Sequence, residues 1–356
     1  MLAFSPALCF AGVMADVIEI DGSQGEGGGQ VLRSSLALAL LTGRPFHLRN
    51  VRARRSKPGL QPQHLKSVQA AAEIGQARLH GASLGSCDLS FEPGPVRAGS
   101  YRFDIGTAGA TGLVLHTIYL PLALRGEGPS EVTLTGGTHV THSPSFHFLD
   151  ATWRPHIAAL GLNVSLRLDR PGFYPRGGGV VRAFLQPCRA VQPLTLTERG
   201  EVTIMGTSAV AGLDRGIAAR QSRRARQLLE RADLEATIRE ESWDGGPGSV
   251  LVLRAEAGGV PATFVGLGAR GKPAEVVAEE AVAELLAFVQ AGQGAVDPHS
   301  ADQLVLPLAF AAGASEYTTS DITLHLTTNI GIIRRFIERD IVIEGAEGQP
   351  GRVLIR

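Results

Sequence analysis

A glycine-rich segment near the start of the chain combines features of a phosphate site with one carboxylate. It reads GEGGGQ over residues 25–30, and the apolar helical run that follows has Arg33 in its first turn. Glycines let a backbone approach a ligand closely, and a helix N-terminus attracts phosphate. Because a carboxylate repels phosphate unless a cation bridges the two, Glu26 indicates a divalent metal. A tight turn with a surface glutamate accounts for the same residues.

The next segment carries a cluster of cations that leads into a Pro-Gly turn. Arginine forks suit phosphate, so the cluster is a candidate phosphate-binding surface. A run of charges is also often only a solvated face, and the sequence leaves both interpretations open. The cations and the polar residues that follow them are Arg49, Arg52, Arg54, Arg55, Lys57, Gln61 and His64.

A histidine stands in an alternating segment near the C-terminus. Residues 321–329 read DITLHLTTN, with apolar and polar residues in turn, which predicts a strand followed by a helix start at Thr328 and Asn329. His325 would then lie on the polar face of that strand, among threonine hydroxyls. A neutral imidazole there could act as a base or as a nucleophile, or it could be an ordinary surface histidine.

Two further patterns resemble ligand sites but lack part of the chemistry. Residues 266–272 read GLGARGK, yet Pro273 replaces the hydroxyl residue that a P-loop needs for Mg²⁺, so a strand-to-helix turn is the better interpretation. A histidine group lacks the paired spacing of structural zinc sites and has only Asp150 as a nearby carboxylate. Its members are His139, His142, His147 and His156.

The composition excludes several classes of protein. The chain has 356 residues, 34 basic and 34 acidic, with 44% hydrophobic residues. This is too apolar and too weakly charged for a disordered chain, and it has no basic excess for a purely electrostatic nucleic-acid binder. No apolar run approaches the roughly 18–20 residues that span a bilayer. The length predicts two domains.

The start of the chain and its cysteines bear on location. The first thirteen residues are apolar without the basic region of a signal peptide, so we expect residues 1–15 to be a leader that is not native, with Met14 as the true start. An uncleaved export signal is the alternative. Cys9, Cys87 and Cys188 lie far apart, which predicts free thiols and a cytoplasmic protein.

Two kinds of segment recur along the chain and must position these residues. A small-residue loop followed by an apolar helical run occurs at 22–43, 106–126 and 299–313. A helical segment followed by a strand pair occurs at 65–94, 148–187 and 327–356. Repetition of this kind predicts an α+β fold built from three repeated βαβαββ units.

The stretch 198–291 interrupts the third repeat. It contains strand-like segments, a basic helix candidate at Arg215–Arg231 and a second helix at Ala274–Gln290 that follows Pro273. We therefore expect an inserted α/β domain at 198–291, within a catalytic repeat domain formed by residues 16–197 and 292–356.

Five strings together resemble a known family. They are EIDGSQGEGGGQVLR, VRARRSKPGLQPQHL, RPGFYPRGGG, HSADQLVLPLA and DITLHLTTN, and in this order they resemble the RNA 3′-terminal phosphate cyclases. The resemblance extends from Val17 to Arg356. It implies three βαβαββ units, similar to the C-terminal domain of initiation factor three and to the repeats of EPSP synthase, with a small α/β insertion.

The resemblance also implies a reaction. A histidine attacks the α-phosphate of ATP, giving enzyme-bound AMP and pyrophosphate. The AMP passes to an RNA 3′-phosphate, and the adjacent 2′-OH then displaces it to leave a 2′,3′-cyclic phosphate. Lys57, Lys66 and Lys272 are the only lysines, and none lies in the KxDG motif of nucleic-acid ligases. An AMP carrier other than lysine fits this sequence.

The family's site residues carry over onto named positions. His325 is the nucleophile, Glu26 binds a divalent metal (Mg²⁺ or Mn²⁺), and the remaining residues bind ATP or phosphate. The ATP-binding positions are His116, His299, Ser300, Ala301, Asp302 and Gln303. The positions for phosphates and the RNA end are Arg33, Arg52, Arg55, Gln61 and His64.

Two departures from the family pattern concern the nucleotide. Residue 116 is His where the family commonly has Gln, and residue 299 is His where an aromatic that stacks on adenine is frequent. Both histidines can still donate a hydrogen bond or offer a flat ring. The alternatives are a non-catalytic RNA-processing scaffold and an enolpyruvyl-type transferase, and the oligomeric state stays open.

Overall fold

The computed structural model describes residues 16–356, so the predicted leader lies outside the described residues. The first repeated unit runs strand, helix, strand, helix, strand, strand. Its elements are β1 (Ile18–Asp21), α1 (Gly29–Thr42), β2 (Phe46–Arg49), α2 (Pro62–Ile74), β3 (Arg78–His80) and β4 (Asp88–Glu92).

The second unit repeats this order, and its second helix is a composite run. Its elements are β5 (Ser100–Asp104), α3 (Thr111–Arg125), β6 (Ser130–Gly136), the run of α4 (Phe146–Phe148), a π-helical turn (Leu149–Trp153) and α5 (Arg154–Ala159), then β7 (Val164–Arg170) and β8 (Gly179–Leu185).

The third unit begins at β9 (Thr195–Leu196), is interrupted, and resumes about a hundred residues later. The interruption contains β10 (Val202–Ala211), α6 (Arg215–Glu230), β11 (Ala236–Trp243), β12 (Gly248–Ala257), β13 (Val260–Leu267) and α7 (Ala274–Gln290). The elements of the unit itself are β9 (Thr195–Leu196), α8 (Pro298–Leu308), β14 (Ser315–Thr319), α9 (Leu324–Phe336), β15 (Ile341–Glu344) and β16 (Gly351–Ile355).

The sheets confirm the predicted threefold repetition. Their strand orders are β1-β2-β4-β3, β5-β6-β8-β7 and β9-β14-β16-β15. Each strand of a unit therefore takes the same place in its sheet as the corresponding strands of the other two units. In each sheet the first two strands are parallel and the other neighbours are antiparallel. Each unit is therefore a βαβ crossover extended by an antiparallel pair.

The helices of the three units form one interior that the sheets enclose. Helix α1 contacts α2, α3 and α9, and its Leu32, Leu36 and Leu38 are fully buried. A helix that is apolar on nearly all sides belongs in the middle of a protein, which explains the leucine-rich sequence. One hydrophobic core includes side chains from all three units.

The elements between β9 and α8 have a sheet and a core of their own. The strand order is β11-β10-β12-β13, and α6 and α7 pack against this sheet around residues such as Leu229, Leu253 and Leu285. Arg224 of α6 forms a salt bridge with Glu279 of α7. No helix within residues 16–356 is long and apolar enough to cross a membrane.

The predicted strand at 321–329 is wrong, because α9 begins at Leu324. Thr323 caps the helix, and its Oγ1 accepts a hydrogen bond from the Leu326 backbone N–H at 3.1 Å. Leu326, Ile330, Ile333 and Phe336 are buried at intervals of three and four residues, which is the spacing of a helix rather than of a strand. The short alternation of DITLHL was outweighed by this longer helical period.

Asp297 fixes the start of α8, and its loss is expected to destabilise the fold. Its Oδ1 accepts hydrogen bonds from the backbone N–H groups of His299 and Ser300, and its Oδ2 accepts one from Ser300 Oγ. Asp297→Ala should lower the free energy of unfolding by about 1–2 kcal/mol, measured by urea denaturation. Asp297→Asn keeps one acceptor oxygen and should lose less. Equal losses for the two variants would contradict the capping role.

Candidate active site

A pocket of about 820 Å³ lies where the helices of the three units meet the sheet and helix of the interruption. Both helical segments of every unit contribute side chains to its wall, mostly from their first turns. The predicted site residues that line it are Glu26, Arg33, Arg52, Arg55, His64, His116, His299, Asp302, Gln303 and His325. Residues far apart in sequence are thus brought into one site.

Three predicted residues do not line the pocket. Ser300 and Ala301 are buried behind its wall in the first turn of α8, and the Ala301 carbonyl accepts a hydrogen bond from the hydroxyl of Tyr317. Gln61 is the residue before α2 and donates to the Pro58 carbonyl. Gln63, two residues further on, lines the pocket instead.

The glycine-rich segment folds tightly around the Glu26 carboxylate. A Cβ on Gly28 would lie 2.5 Å from Glu26 Oε2 and from Arg55 Nη2, and one on Gly29 would lie 2.6 Å from Arg33 Nη1. Side chains at these two positions would displace the charged groups. Glu26 Oε1 accepts a hydrogen bond from the Gln30 backbone N–H at 2.9 Å, which holds the carboxylate at the start of α1.

His325 projects from the first turn of α9 into the pocket. About half of its side chain is exposed, and its Nδ1 lies 3.8 Å from Glu26 Oε2. Burial and the nearby positive charges of Arg33 and Arg55 lower the pKa of His325, and they outweigh the opposite effect of Glu26. The imidazole is therefore neutral, and a potential nucleophile, at pH 7.

Three arginines line the same pocket as this histidine. Burial lowers the pKa of Arg33 to about 10, opposed by Glu26 and Asp302, so the guanidinium stays protonated at neutral pH. Arg55 forms a salt bridge with Glu26. Arg52 is held by the carbonyls of Lys57 and Gly59 at 2.6 and 2.9 Å. Such a group of cations suits a ligand with several phosphates.

Asp302 has an unusual charge state. Burial, reinforced by the negative charges of Asp297 and Glu26, raises the pKa of Asp302 to about 7, although His299 and Arg33 oppose this rise. This carboxyl group therefore changes protonation near neutral pH. It can present either a donor or an acceptor to a ligand.

Two buried histidines in the wall remain neutral. Burial and Arg33 lower the pKa of both His64 and His116 to about 3. The His116 ring lies 5.1 Å from the Trp153 ring and 6.2 Å from the Tyr119 ring, measured between centroids. An apolar aromatic surface at this end of the pocket suits a flat base better than a phosphate.

Part of the wall comes from residues that the sequence did not single out as site residues. Strand β13 supplies Thr263, Val265 and Leu267, and the turn that follows supplies Lys272. The Lys272 ammonium donates to the Leu267 carbonyl at 2.9 Å and pairs with Glu280, so the GLGARGK segment is the expected strand-to-helix turn. Only its tertiary placement shows that this turn borders the pocket.

The histidine group is not arranged for a metal. His139 Nε2 lies 2.9 Å from His147 Nδ1, and the two rings pack against Phe173 and Trp243. Across residues 16–356 no group of three or more His, Cys, Asp or Glu side chains is placed to hold an ion. These rings instead join the second unit to β11.

Comparison with known proteins identifies the family. The family model for RNA 3′-terminal phosphate cyclase matches residues 24–343. The RNA 3′-terminal phosphate cyclase of Ralstonia nicotianae is 45% identical over 333 residues, covering 93% of this chain and 94% of that protein. The protein of the same name from Caldivirga maquilingensis is 44% identical over 333 residues, covering 91% of this chain and 94% of its own.

The solved structure of an enzyme of a different kind also aligns with most of the chain. It is the enolpyruvyl transferase NikO from Streptomyces tendae, with a TM-score of 0.37 and 12% identity, covering 95% of this chain and 47% of that one. The sequence relatives are far closer, at more than 40% identity over nearly their whole length. The chain therefore belongs to the RNA 3′-terminal phosphate cyclases, a family of enzymes.

Proposed function

We propose that this enzyme converts an RNA 3′-terminal phosphate into a 2′,3′-cyclic phosphodiester at the expense of ATP, through a covalent AMP adduct of His325. The observation that carries the proposal is the position of His325, half exposed in a pocket that Arg33, Arg52 and Arg55 also line. A neutral imidazole can attack phosphorus near pH 7, and the arginines neutralise the charge that surrounds it.

The proposed reaction has three displacements. An imidazole nitrogen of His325 attacks the α-phosphorus of ATP, and the bond to the bridging oxygen breaks to release pyrophosphate. An oxygen of the RNA 3′-phosphate then attacks the same phosphorus and displaces the histidine. Finally the 2′-OH attacks the 3′-phosphorus, loses its proton, and expels AMP. Because the Nδ1 of His325 faces Glu26, we assign the first attack to Nε2.

The remaining predicted residues receive roles by their place in the pocket. His116 and His299 contact the base, and Asp302 and Gln303 contact the nucleotide from α8, while Ser300 and Ala301 support that turn from behind. Arg33, Arg52, Arg55 and His64 receive phosphates and the RNA end, and Gln61 orders the start of α2 beside them. The aromatic rings of Tyr119 and Trp153 beside His116 support the placement of the base there.

Glu26 would be the protein ligand of a divalent cation, Mg²⁺ or Mn²⁺. Such ions commonly bind one or two carboxylates together with water and substrate phosphates, so a single carboxylate on the wall is compatible with the ion. The bound ion would neutralise charge on the triphosphate. Titration of Mn²⁺ with pyrophosphate present should show tighter binding to the wild type than to Glu26→Gln, and equal binding would contradict this role.

We also propose that residues 198–291 form an inserted domain within a catalytic domain of residues 16–197 and 292–356. The separate sheet and hydrophobic core of the insertion support this division. Its β13 and Lys272 would close one side of the nucleotide pocket. We place the enzyme in the cytoplasm, where free thiols such as Cys87 and Cys188 persist and RNA is available.

The cyclase activity is tested with an RNA oligonucleotide that ends in a 3′-phosphate. With ATP and Mg²⁺ the terminal phosphate should become resistant to phosphatase, and AMP and pyrophosphate should form in equal amounts with the cyclic product. The same RNA with a 2′-deoxy terminal nucleotide should be adenylated without cyclising. Cyclisation at an equal rate without ATP would contradict the proposal.

The pH dependence of adenylation should respond to Arg55. Adenylation needs neutral His325, so its rate should fall as the pH drops through the lowered pKa of that residue rather than at the ordinary value near 6.5. Arg55→Gln removes a positive charge and releases Glu26, and both changes favour protonated His325. The acid limb of the profile should therefore move to higher pH, measured from single-turnover labelling between about pH 5 and 8. An unmoved limb would contradict the electrostatic account.

A further inference from the structure

A chain of side-chain hydrogen bonds crosses the pocket wall from α1 to α8 through one residue of α9. Arg33 Nη2 donates to Gln30 Oε1, and Gln30 Nε2 donates to Asn329 Oδ1, both at 2.8 Å. Asn329 Nδ2 then donates to the backbone carbonyl of Asp302, also at 2.8 Å. Asn329 is only 2% exposed, and its Oδ1 also accepts a hydrogen bond from Ser34 Oγ.

The donor-to-acceptor direction of this series of hydrogen bonds is fixed at both ends. A guanidinium can only donate, so Gln30 must turn its oxygen toward Arg33 and its nitrogen toward Asn329. Asn329 must therefore present its oxygen to Gln30 and its nitrogen to the Asp302 carbonyl, which can only accept. Each amide has one orientation that satisfies all its neighbours, and a buried network that is fully satisfied in this way is rigid.

Asn329 also lies one helical turn after His325. Residues four apart on a helix share a face, so both side chains point toward the pocket, and both line it. Asn329 thus belongs to the same rigid helix as His325 and bonds directly or through Gln30 to the segments that carry Arg33 and Asp302. It is one of the residues of α9 that join the first and third units at the site.

We propose that Asn329 is a positioning residue that sets the distance between the guanidinium of Arg33, the α8 segment at Asp302 and the imidazole of His325. The inference rests on the proposed function, because those three groups act in the adenylation step. It adds a residue that touches neither ATP nor RNA in that mechanism. Its effect comes from holding the groups of α1 and α8 at fixed places relative to α9.

Three substitutions at this position separate hydrogen bonding from packing. Asn329→Ala removes all of its hydrogen bonds, and misplacement of reacting groups by about 1 Å can cost about 10²-fold in rate. Asn329→Asp keeps the shape but cannot donate to the Asp302 carbonyl, so we expect a loss at least as large. Asn329→Leu replaces the amide with an apolar side chain of similar branched shape, so it should also lose activity if hydrogen bonding, rather than packing, matters.

Gln221 offers a matched control. It is a fully buried amide in α6 that bonds to Ser208 and Ser249, and it does not line the pocket. Gln221→Ala should destabilise the protein about as much as Asn329→Ala, because both remove a buried amide from a bonded network. Its adenylation rate should stay within about twofold of the wild type when both are assayed well below their melting temperatures.

The experiment measures the single-turnover rate of protein labelling by α-labelled ATP and, by calorimetry, the affinity for pyrophosphate. The variants measured are those above, Gln30→Ala, and the double variant Gln30→Ala/Asn329→Ala. We expect about 10²-fold slower labelling and weaker pyrophosphate binding for Asn329→Ala. The double variant should lose little more than Asn329→Ala alone, because the two residues act as one chain.

The outcomes decide between the two claims. Labelling and pyrophosphate binding at wild-type level in Asn329→Ala would overturn the positioning role. Fully additive effects of Gln30→Ala and Asn329→Ala would overturn it too. Retention of activity in Asn329→Asp would have the same consequence. If the wild type never labels, the proposed function fails. In that case a loss of pyrophosphate binding in Asn329→Ala but not in Gln221→Ala still supports the positioning role, and equal binding still overturns it.

Discussion

Replacing His325 with alanine is expected to lower ATP-dependent cyclisation of a 3′-phosphorylated RNA by about 10³-fold or more, because loss of a nucleophile removes the covalent route altogether. The effect should be specific to the first two displacements. An RNA supplied with AMP already joined to its 3′-phosphate needs no histidine nucleophile. His325→Ala should therefore still cyclise this substrate at a rate close to that of the wild type.

The matched control for this variant is His47→Ala. His47 lies on the outer face of the first sheet and bonds to Glu19 and Asp88, away from the pocket. It should keep both reactions. If His325→Ala cyclised ordinary 3′-phosphorylated RNA with ATP as fast as His47→Ala, the nucleophile would be another residue. If it failed equally on the adenylated RNA, its role would extend beyond carrying AMP.

Replacing Arg33 with alanine is expected to reduce the adenylation rate by about 10²–10³-fold, the usual effect of losing one group that stabilises developing charge. Arg33 is the cation that separates two carboxylates, Glu26 and Asp302, which both influence its pKa. Without it less positive charge would offset these two groups beside the triphosphate, although Arg55 would still pair with Glu26. Single-turnover labelling at saturating ATP gives the rate, and calorimetry gives the affinity for ATP.

Arg33→Lys distinguishes charge from geometry. A lysine retains the positive charge but cannot reproduce the guanidinium fork or its bond to Gln30 in the same geometry, so we expect a partial recovery only. Arg199→Ala is the control, because Arg199 packs over Phe288 at the C-terminal end of α7 and does not line the pocket. Adenylation by Arg33→Ala at the rate of Arg199→Ala would contradict a role for Arg33 in charge neutralisation.

The repeated architecture could be predicted because each unit repeats its own local signals. The small-residue loop before α1 and the helix-plus-strand-pair pattern of α2, β3 and β4 recur twice, and their spacing alone indicates the order of elements. Segment 321–329 shows the limit of such signals. Its short alternation is outweighed by the cap at Thr323 and by the buried face that includes Leu326 and Ile330.

The site was only partly predictable, because its geometry depends on contacts between units. Motif strings identify Glu26, Arg33 and His325, but nothing in the sequence shows that Gln63 rather than Gln61 reaches the pocket or that Lys272 borders it. Each of these depends on where a helix start or turn lies after folding. Asn329 is similar, since an asparagine in a helix gains meaning only when α1 and α8 lie against it.

The shared arrangement of the units explains why a pocket forms at their junction. The first helices α1, α3 and α8 occupy equivalent positions, and each brings its first turns to the same place. Side chains from the early turns of three equivalent helices therefore meet at one place. Divergence of single residues then places a carboxylate, an aromatic surface and a half-exposed histidine at one site.

The covalent intermediate is tested most directly by mass spectrometry of the wild-type protein after incubation with ATP and Mg²⁺ in the absence of RNA. Peptide mapping should find one AMP moiety on the peptide that contains His325, with a bond that acid breaks and alkali leaves intact, as expected for a phosphoramidate. Addition of 3′-phosphorylated RNA should remove it. An AMP moiety on a lysine, or cyclisation of RNA by a protein that never carries AMP, would contradict the proposed mechanism.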